Sequence, residues 1–380
     1  MADRQLLVRL HQAGPIPLDV DFSCRAGDVL AIFGPSGSGK TTILRSIAGL
    51  YRPAQATVRS GTDTWSDSAS GVFEPPHRRR VGFVFQEYAL FPHLTAAGNV
   101  ITALGHVPRA ERRGRAEQLL GQVHLSPQAD RRPAELSGGE RQRVAVARAL
   151  AREPSALLMD EPFAAVDRAV RRRLHDEIDA LRQTVDVPMV IVTHDLDDVV
   201  RLATHLLVLE GGRGVASGAL DTLMSRPDLQ WMRTAAGLGS VFDAVVTRTH
   251  PSRSLVELSF DGGTLLASDR ALTVGAAVRL RIPAREVILA TQPPEGISLH
   301  NALSGTVTAV HADPGFEHTI VQLAVGKLLL LVEVTADAVI RMGIAPGVPL
   351  FALIKSVSID VVRARSASDH VIAGTELTDE

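Results

Sequence analysis

Gly34-Pro35-Ser36-Gly37-Ser38-Gly39-Lys40-Thr41, reading GPSGSGKT directly after the apolar run Val29–Phe33, decides the fold. It fits the pattern GxxxxGK[ST] of a phosphate-binding loop. Glycines let successive backbone N–H groups turn inward onto phosphate oxygens, and the helix that follows presents its positive end to them. Lys40 is placed to reach the terminal phosphates of a nucleotide and the Thr41 hydroxyl to coordinate a magnesium ion, with Thr42 on the same turn.

Outward from this loop, short apolar runs alternate with helical stretches. Val29–Phe33, Val81–Phe85, Ala156–Met159 and Met189–Val192 read as buried strands. Thr41–Leu50, Arg109–Val123, Glu140–Arg152 and Ala169–Thr184 read as helices. The alternation predicts an α/β domain on a largely parallel sheet, with a mostly helical insert at about 90–150 set off by Pro92, Pro108 and Pro127.

Two further segments carry chemistry. Ala156-Leu157-Leu158-Met159-Asp160-Glu161-Pro162 is an apolar strand ending in two carboxylates, whose side chains point different ways. Asp160 then faces a magnesium shell, and Glu161 polarises an attacking water as general base. Leu136-Ser137-Gly138-Gly139-Glu140 starts a helix, with Ser137 and Glu140 at capping-box spacing. Bare amides and a hydroxyl at a helix start also make an anion site.

With Arg141-Gln142-Arg143 after it, this segment resembles the signature of the ABC transporter ATPases, over roughly residues 1–235. The resemblance implies a P-loop NTPase (RecA-like) α/β core with a helical subdomain, an ATP hydrolase using ATP and Mg²⁺. Gln86 then corresponds to the glutamine that senses magnesium and water, and Ala164-Ala165-Val166-Asp167 to the loop bridging two subunits. His194 corresponds to the switch histidine that contacts the γ-phosphate. His11 stands where the family carries an aromatic residue that stacks on adenine. Two copies of the chain would face each other, Ser137, Gly138 and Gly139 of one completing the nucleotide site of the other. Glu87–Asn99, EYALFPHLTAAGN, resembles the surface that receives a transmembrane permease subunit, with an extracytoplasmic substrate-binding protein as an indirect partner.

After about Trp231 short alternating strands take over, with turns at Asp261-Gly262-Gly263, Pro293-Pro294 and Asp313-Pro314-Gly315. A weak repeat is visible: GAAVRLRIPAREVILA from Gly275 lines up with GVPLFALIKSVSIDVV from Gly347, and SLVELSFDGGTLL from Ser254 with TIVQLAVGKLLLL from Thr319. Two related small β-barrels are expected. Ser298–Val307 with Lys355-Ser356 resembles the molybdate-binding (Mop/TOBE) type of barrel, preceded by Arg285-Glu286-Val287 as linker. That resemblance points to molybdate import, with sulfate, tungstate, iron or polyamine import as alternatives. Ser298, Asn301, Lys355 and Ser356 are the candidate oxyanion ligands. The expected division is an ATP-binding domain at 1–235, a linker or first half-barrel at 236–295, an all-β small barrel at 296–364 and a disordered tail at 365–380.

Composition narrows the alternatives. A net charge of −2 gives no electrostatic reason for nucleic acid as partner. The basic clusters His77–Arg80 and Arg171–Arg173 lack interleaved aromatics and read as solvated faces or ion-pair partners. A soluble ABC ATPase acting on nucleic acid or the ribosome would carry a second cassette or a long coiled coil, and a metabolic kinase would lack the Leu136–Glu140 segment. Cys24 is the only cysteine, which predicts a reducing compartment. No secretory signal and no apolar run of membrane-spanning length is present, so the expected place is the cytoplasmic face of a membrane, reached by docking.

Overall fold

The five-residue runs Val29–Phe33, Ala156–Asp160 and Met189–Thr193 are buried at every position, as strands covered on both faces must be. In the computed structural model, which describes residues 5–164, 168–226, 238–269, 272–312 and 318–365, they lie at the centre of an eleven-stranded sheet. The chain divides into two units, Met1–Ala219 and Leu220–Glu380.

In the first unit five strands run parallel, in the order Val81–Val84, Ala156–Asp160, Met189–Thr193, Val29–Phe33 and His205–Glu210. Alternate residues of one strand feed different cores. Leu157 and Met159 pack with the helical insert, whereas Ala156 and Leu158 pack with Ile43, Leu44 and Ile47 of the helix Lys40–Ile47. Each fully buried Leu or Ile stabilises by about 1.5–3 kcal/mol. Beyond His205–Glu210 the sheet continues through Arg213–Ala219 into a wing that includes Leu18–Arg25, Gln5–Gln12 and Gln55–Ser60. Leu18–Arg25 alternates buried and exposed residues, the pattern of a sheet with one wet face. The insert supplies the helices Ala96–Ile101, Arg112–Gln122 and Gly138–Leu150.

In the cluster His77–Arg80, His77, Arg78 and Arg80 are exposed as expected, and Arg79 alone departs from the solvated reading. Arg79 is fully buried, and its guanidinium donates to the carbonyls of Ser46 at 3.1 Å, Ile47 at 2.7 Å and Glu74 at 2.8 Å. It thereby satisfies carbonyls at the end of the helix that follows the phosphate loop. Burial lowers its pKa to about 10, still cationic at neutral pH.

In the second unit the repeat is realised as two five-stranded sheets that exchange their last strands. One sheet takes Gly239–His250, Leu255–Phe260, Gly263–Ala267 and Ala277–Pro283, and adds Asp360–Arg365. The other takes Asn301–His311, His318–Val325, Leu328–Thr335 and Pro349–Ile354, and adds Val287–Ala290. Each crossing passes through one short 3₁₀ turn, Ala284–Glu286 or Ser356–Ser358. One hydrophobic core serves both sheets. The two related hairpin turns also meet, Lys327 N–H donating to the Asp261 carbonyl at 3.1 Å.

Buried polar side chains repeat the symmetry. Ser240 accepts from Leu331 N–H at 2.8 Å. Its counterpart Asn301 accepts from Leu266 N–H at 2.7 Å and donates to the carbonyls of Leu266 at 2.9 Å and Ile354 at 3.1 Å. Each ties the first strand of one repeat to the third strand of the other. Of the expected tail at 365–380, Arg365 ends the strand Asp360–Arg365, while 366–380 and the expected turn at Asp313–Gly315 lie outside the described residues.

Candidate functional site

Four of the parallel strands end on one edge of the sheet, and every N-terminal candidate but two groups follows one of those ends. The phosphate loop follows Phe33, Glu161 follows Asp160, His194 follows Thr193, and Gln86 comes two residues after Val84. Ligands of open α/β sheets bind at the carboxyl ends of the strands.

The loop curls around its own lysine. Lys40 Nζ donates to the carbonyls of Gly34 at 2.7 Å and Pro35 at 2.9 Å. Gly34 must be glycine, because a Cβ there would lie 2.2 Å from the Leu209 carbonyl oxygen. Pro35, Ser36 and Gly37 are exposed; Ser38 is buried, and its hydroxyl has no hydrogen-bond partner among the described residues. Thr41 and Thr42 are half-buried on the first turn of the helix. Burial lowers the Lys40 pKa, against the opposing pull of Glu161 and Asp160. An anion in the loop would relieve that burial cost.

Asp160 and Glu161 diverge as the strand end requires. Asp160 is buried and accepts from the Thr41 hydroxyl at 2.9 Å. Its pKa is raised by burial, opposed by the Thr41 hydrogen bond. This pair offers hydroxyl and carboxylate oxygens side by side, a donor set that suits a hard divalent cation such as Mg²⁺. Glu161 turns the other way with a positive φ of 43°, costly for a non-glycine residue and typical of functional positions. Its carboxylate lies 3.2 Å from His194 Nδ1, which joins the ends of two strands.

Gln86 is exposed and borders a cleft of about 490 Å³ with Glu87, Tyr88, Pro133 and Arg141. The loop beyond it is held by Asn99, fully buried, which accepts from Phe91 N–H at 2.7 Å and donates to the Thr95 carbonyl at 3.0 Å. Arg148 donates to the carbonyls of Tyr88 at 2.8 Å and Ala89 at 2.7 Å. Phe91 is 44% exposed.

Ser137 caps the helix Gly138–Leu150 with the full capping box: Glu140 N–H donates to Ser137 Oγ at 3.3 Å and Ser137 N–H to Glu140 Oε2 at 2.8 Å. The Ser137 backbone hydrogen bond is the main cause of the lowered Glu140 pKa. Among the described residues no hydrogen bond or ion pair joins Ser137, Gly138 or Gly139 to the phosphate loop. Ala165-Val166-Asp167 lies outside the described residues.

Among the described residues no hydrogen bond, ion pair or ring contact joins His11 to the phosphate loop. It stands on the wet face of Gln5–Gln12, 3.5 Å from Asp19 Oδ1. The residue beside the loop is Ile16, which the sequence reading passed over. Its Cγ2 is 3.8 Å from where a Cβ on Gly39 would sit, and it is 38% exposed. Buried Gln12 fixes the turn, donating to the Ile16 carbonyl at 2.5 Å and the Tyr51 hydroxyl at 2.8 Å. A correspondence of position along the chain cannot see how that turn folds.

In the second unit the four oxyanion candidates come from two neighbouring segments, Asn301 pairing with Ile354, but they differ in exposure and in what they bond. Ser298 and Lys355 are exposed; Ser356 is buried, its hydroxyl 3.3 Å from His300 Nδ1. Asn301 has its amide committed to strand backbone, as described above.

The parallel sheet, loop and carboxylate pair define a P-loop ATPase. Residues 18–164 match the ABC transporter family, and residues 297–361 match the TOBE domain. The molybdenum import ATP-binding protein ModC of Thiobacillus denitrificans is 42% identical over 342 residues, covering 90% of this chain and 94% of its own. That of Paramagnetospirillum magneticum is 40% identical over 349 residues, covering 92% and 96%. The chain belongs to this family of ABC transporter ATP-binding proteins. The solved structure of cbiO1 from Clostridium perfringens, part of the ABC transporter complex cbiONQ, matches with a TM-score of 0.53 at 24% identity, covering 61% of this chain and 96% of that one, and shares its fold. Among the described residues no helix is long and apolar enough to cross a membrane.

Proposed function

We propose that the chain is the ATP-hydrolysing subunit of an importer for molybdate, working as a homodimer on the cytoplasmic face of a membrane. Transmembrane permease subunits are its direct partners, and an extracytoplasmic binding protein delivers the ion; no nucleic acid takes part. The observation that carries the ATPase reading is the Thr41–Asp160 and Glu161–His194 pairing at one sheet edge. The names of the relatives support the molybdate assignment over sulfate, tungstate, iron or polyamine. The domains we assign are 1–235 for ATP binding and 236–364 for the β-rich part, with a boundary at 295/296 inside the latter.

Gly34–Thr42 hold the phosphates of ATP through loop amides, the Ser38 and Thr41 hydroxyls and the Lys40 ammonium. Thr41, Asp160 and Gln86 would hold Mg²⁺, which when bound neutralises charge on the terminal phosphates. Glu161 accepts a proton from the attacking water, and His194 orients that carboxylate and reaches the γ-phosphate. Ser137, Gly138 and Gly139 close the site from the partner copy, so ATP binding brings the copies together and hydrolysis releases them. The cleft beside Gln86 and the exposed Phe91 receive the permease. Ile16, rather than His11, offers its apolar side chain to the base. In the β-rich part, Ser298, Lys355 and Ser356 remain available to an oxyanion, and Asn301 serves the fold.

Uptake in cells lacking this chain tests the assignment. Wild-type chain is expected to restore molybdate uptake and Lys40→Ala is not. Restored sulfate uptake with molybdate unchanged would overturn the choice of ion.

A further inference from the structure

We propose that Arg171 is a positioning residue that sets the spacing of Glu161 and His194, an inference that rests on the catalytic roles given above. The two side chains come from loops after different strands, and their 3.2 Å contact needs both loops held together. One guanidinium does so. Arg171 Nη2 donates to the carbonyl of Phe163 at 3.1 Å, two residues beyond Glu161. Its Nη1 is bonded to the carboxylate of Asp195, the residue after His194, and lies 3.8 Å from Asp198.

The surrounding groups make this hold rigid. Asp198 is buried, and its carboxylate accepts from the Thr193 hydroxyl at 2.9 Å and meets His175 Nε2 at 2.8 Å. Thr193 Oγ1 in turn accepts from Asp195 N–H at 3.0 Å. The residues on both sides of His194 are therefore tied to Asp198. His175 lies one turn beyond Arg171 on the helix Arg168–Thr184, and Phe163 meets its ring edge-on with centroids 4.4 Å apart. The same helix face thus grips the Glu161 loop through Phe163 and the His194 loop through Asp195 and Asp198. A buried carboxylate with several partners has few alternative arrangements, so the loops keep one relative position. Arg171 is 24% exposed, and among the described residues no hydrogen bond or ion pair joins it to Glu161 or His194. Its effect must pass through their geometry, and a displacement of about 1 Å in a reacting group costs on the order of a hundredfold in rate.

The test is steady-state and single-turnover ATP hydrolysis by the full chain. Arg171→Met is expected to lower kcat about 30- to 100-fold with KM for ATP within about twofold. Arg171→Lys keeps the charge beside Asp195 but cannot serve Phe163 at the same time, and should recover part of the rate. The decisive comparison uses His194→Ala: with that partner gone, adding Arg171→Met should cost less than about twofold. An equal loss in both backgrounds, or wild-type kcat in Arg171→Met, overturns the proposal. Should Arg171→Met fail to fold, Asp195→Asn, which keeps the helix cap and weakens the ion pair, must show the same dependence on His194. Unchanged turnover in His194→Ala alone would instead overturn the catalytic reading on which this inference rests.

Discussion

The strand ends of the first unit and the seam between the sheets of the second both gather polar side chains, and they use them in opposite ways. At the strand ends the Ser38 hydroxyl has no hydrogen-bond partner among the described residues, Lys40 turns onto its own loop, and Gln86 is exposed. At the seam, among the described residues, every hydrogen bond of the Asn301 and Ser240 side chains goes to backbone, and each side chain both donates and accepts. Both sets include residues that stand out in a sequence. What separates them is where the bonds go: the binding site keeps polar groups for a ligand, whereas the staple commits its donors to backbone.

That contrast can be broken by substitution, beginning with the largest effect. Lys40→Ala removes the cation from the loop, and ATP hydrolysis measured by phosphate release should fall at least about a hundredfold, with weaker nucleotide binding. Turnover at the wild-type rate would remove this loop from the chemistry. Glu161→Gln keeps shape and removes the base, so hydrolysis should drop about 10²- to 10⁴-fold while ATP still binds. Size-exclusion chromatography with ATP should then show a lasting dimer; a monomer with normal turnover would end the general-base assignment.

Asn301→Ala tests the other side. It leaves backbone groups of Leu266 and Ile354 without partners and should destabilise the second unit by about 2–3 kcal/mol, seen as a lower thermal midpoint. ATP hydrolysis per folded molecule and any affinity of the chain for molybdate should stay unchanged. A lost oxyanion affinity at full stability would return Asn301 to the ligand set.

The sequence was most legible where a residue's role depends on its neighbours in the chain. Val29–Phe33 and the loop after it, the capping box at Ser137 and the carboxylate pair at Asp160 all have local causes, and each stands in the structure as expected. Legibility failed where the cause is a distant partner. Arg79 reads as one of a solvated cluster, yet helix-end carbonyls at Ser46 and Ile47 bury it. The repeat was visible, but the exchange of Asp360–Arg365 and Val287–Ala290 between sheets was not, since no local pattern says which edge a strand will join. Arg171 is the ion-pair partner that its cluster suggested, but that it joins the Phe163 and Asp195 loops depends on residues distant in the chain.

The smallest expected effect concerns the base of the nucleotide, and it separates a reading by residue count from a reading by contact. His11 lies at the counted position but is hydrogen-bonded to Asp19 on the wet face of its strand. Ile16 lies against Gly39, whose φ of 96° and near neighbours Leu18 and Ile16 fix the floor of the loop. If Ile16 covers part of the adenine, Ile16→Ser removes contact worth roughly 1 kcal/mol, taking about 40 Å² of apolar area at 25 cal/mol per Å². ATP affinity, measured by equilibrium titration of the Glu161→Gln chain to prevent turnover, should weaken about fivefold. His11→Ala and His11→Tyr should leave it unchanged, because among the described residues no hydrogen bond, ion pair or ring contact links that ring to the loop. Tighter binding in His11→Tyr with no change in Ile16→Ser would reverse the assignment, and would mean that the turn Ala13–Pro17 rearranges when the nucleotide enters.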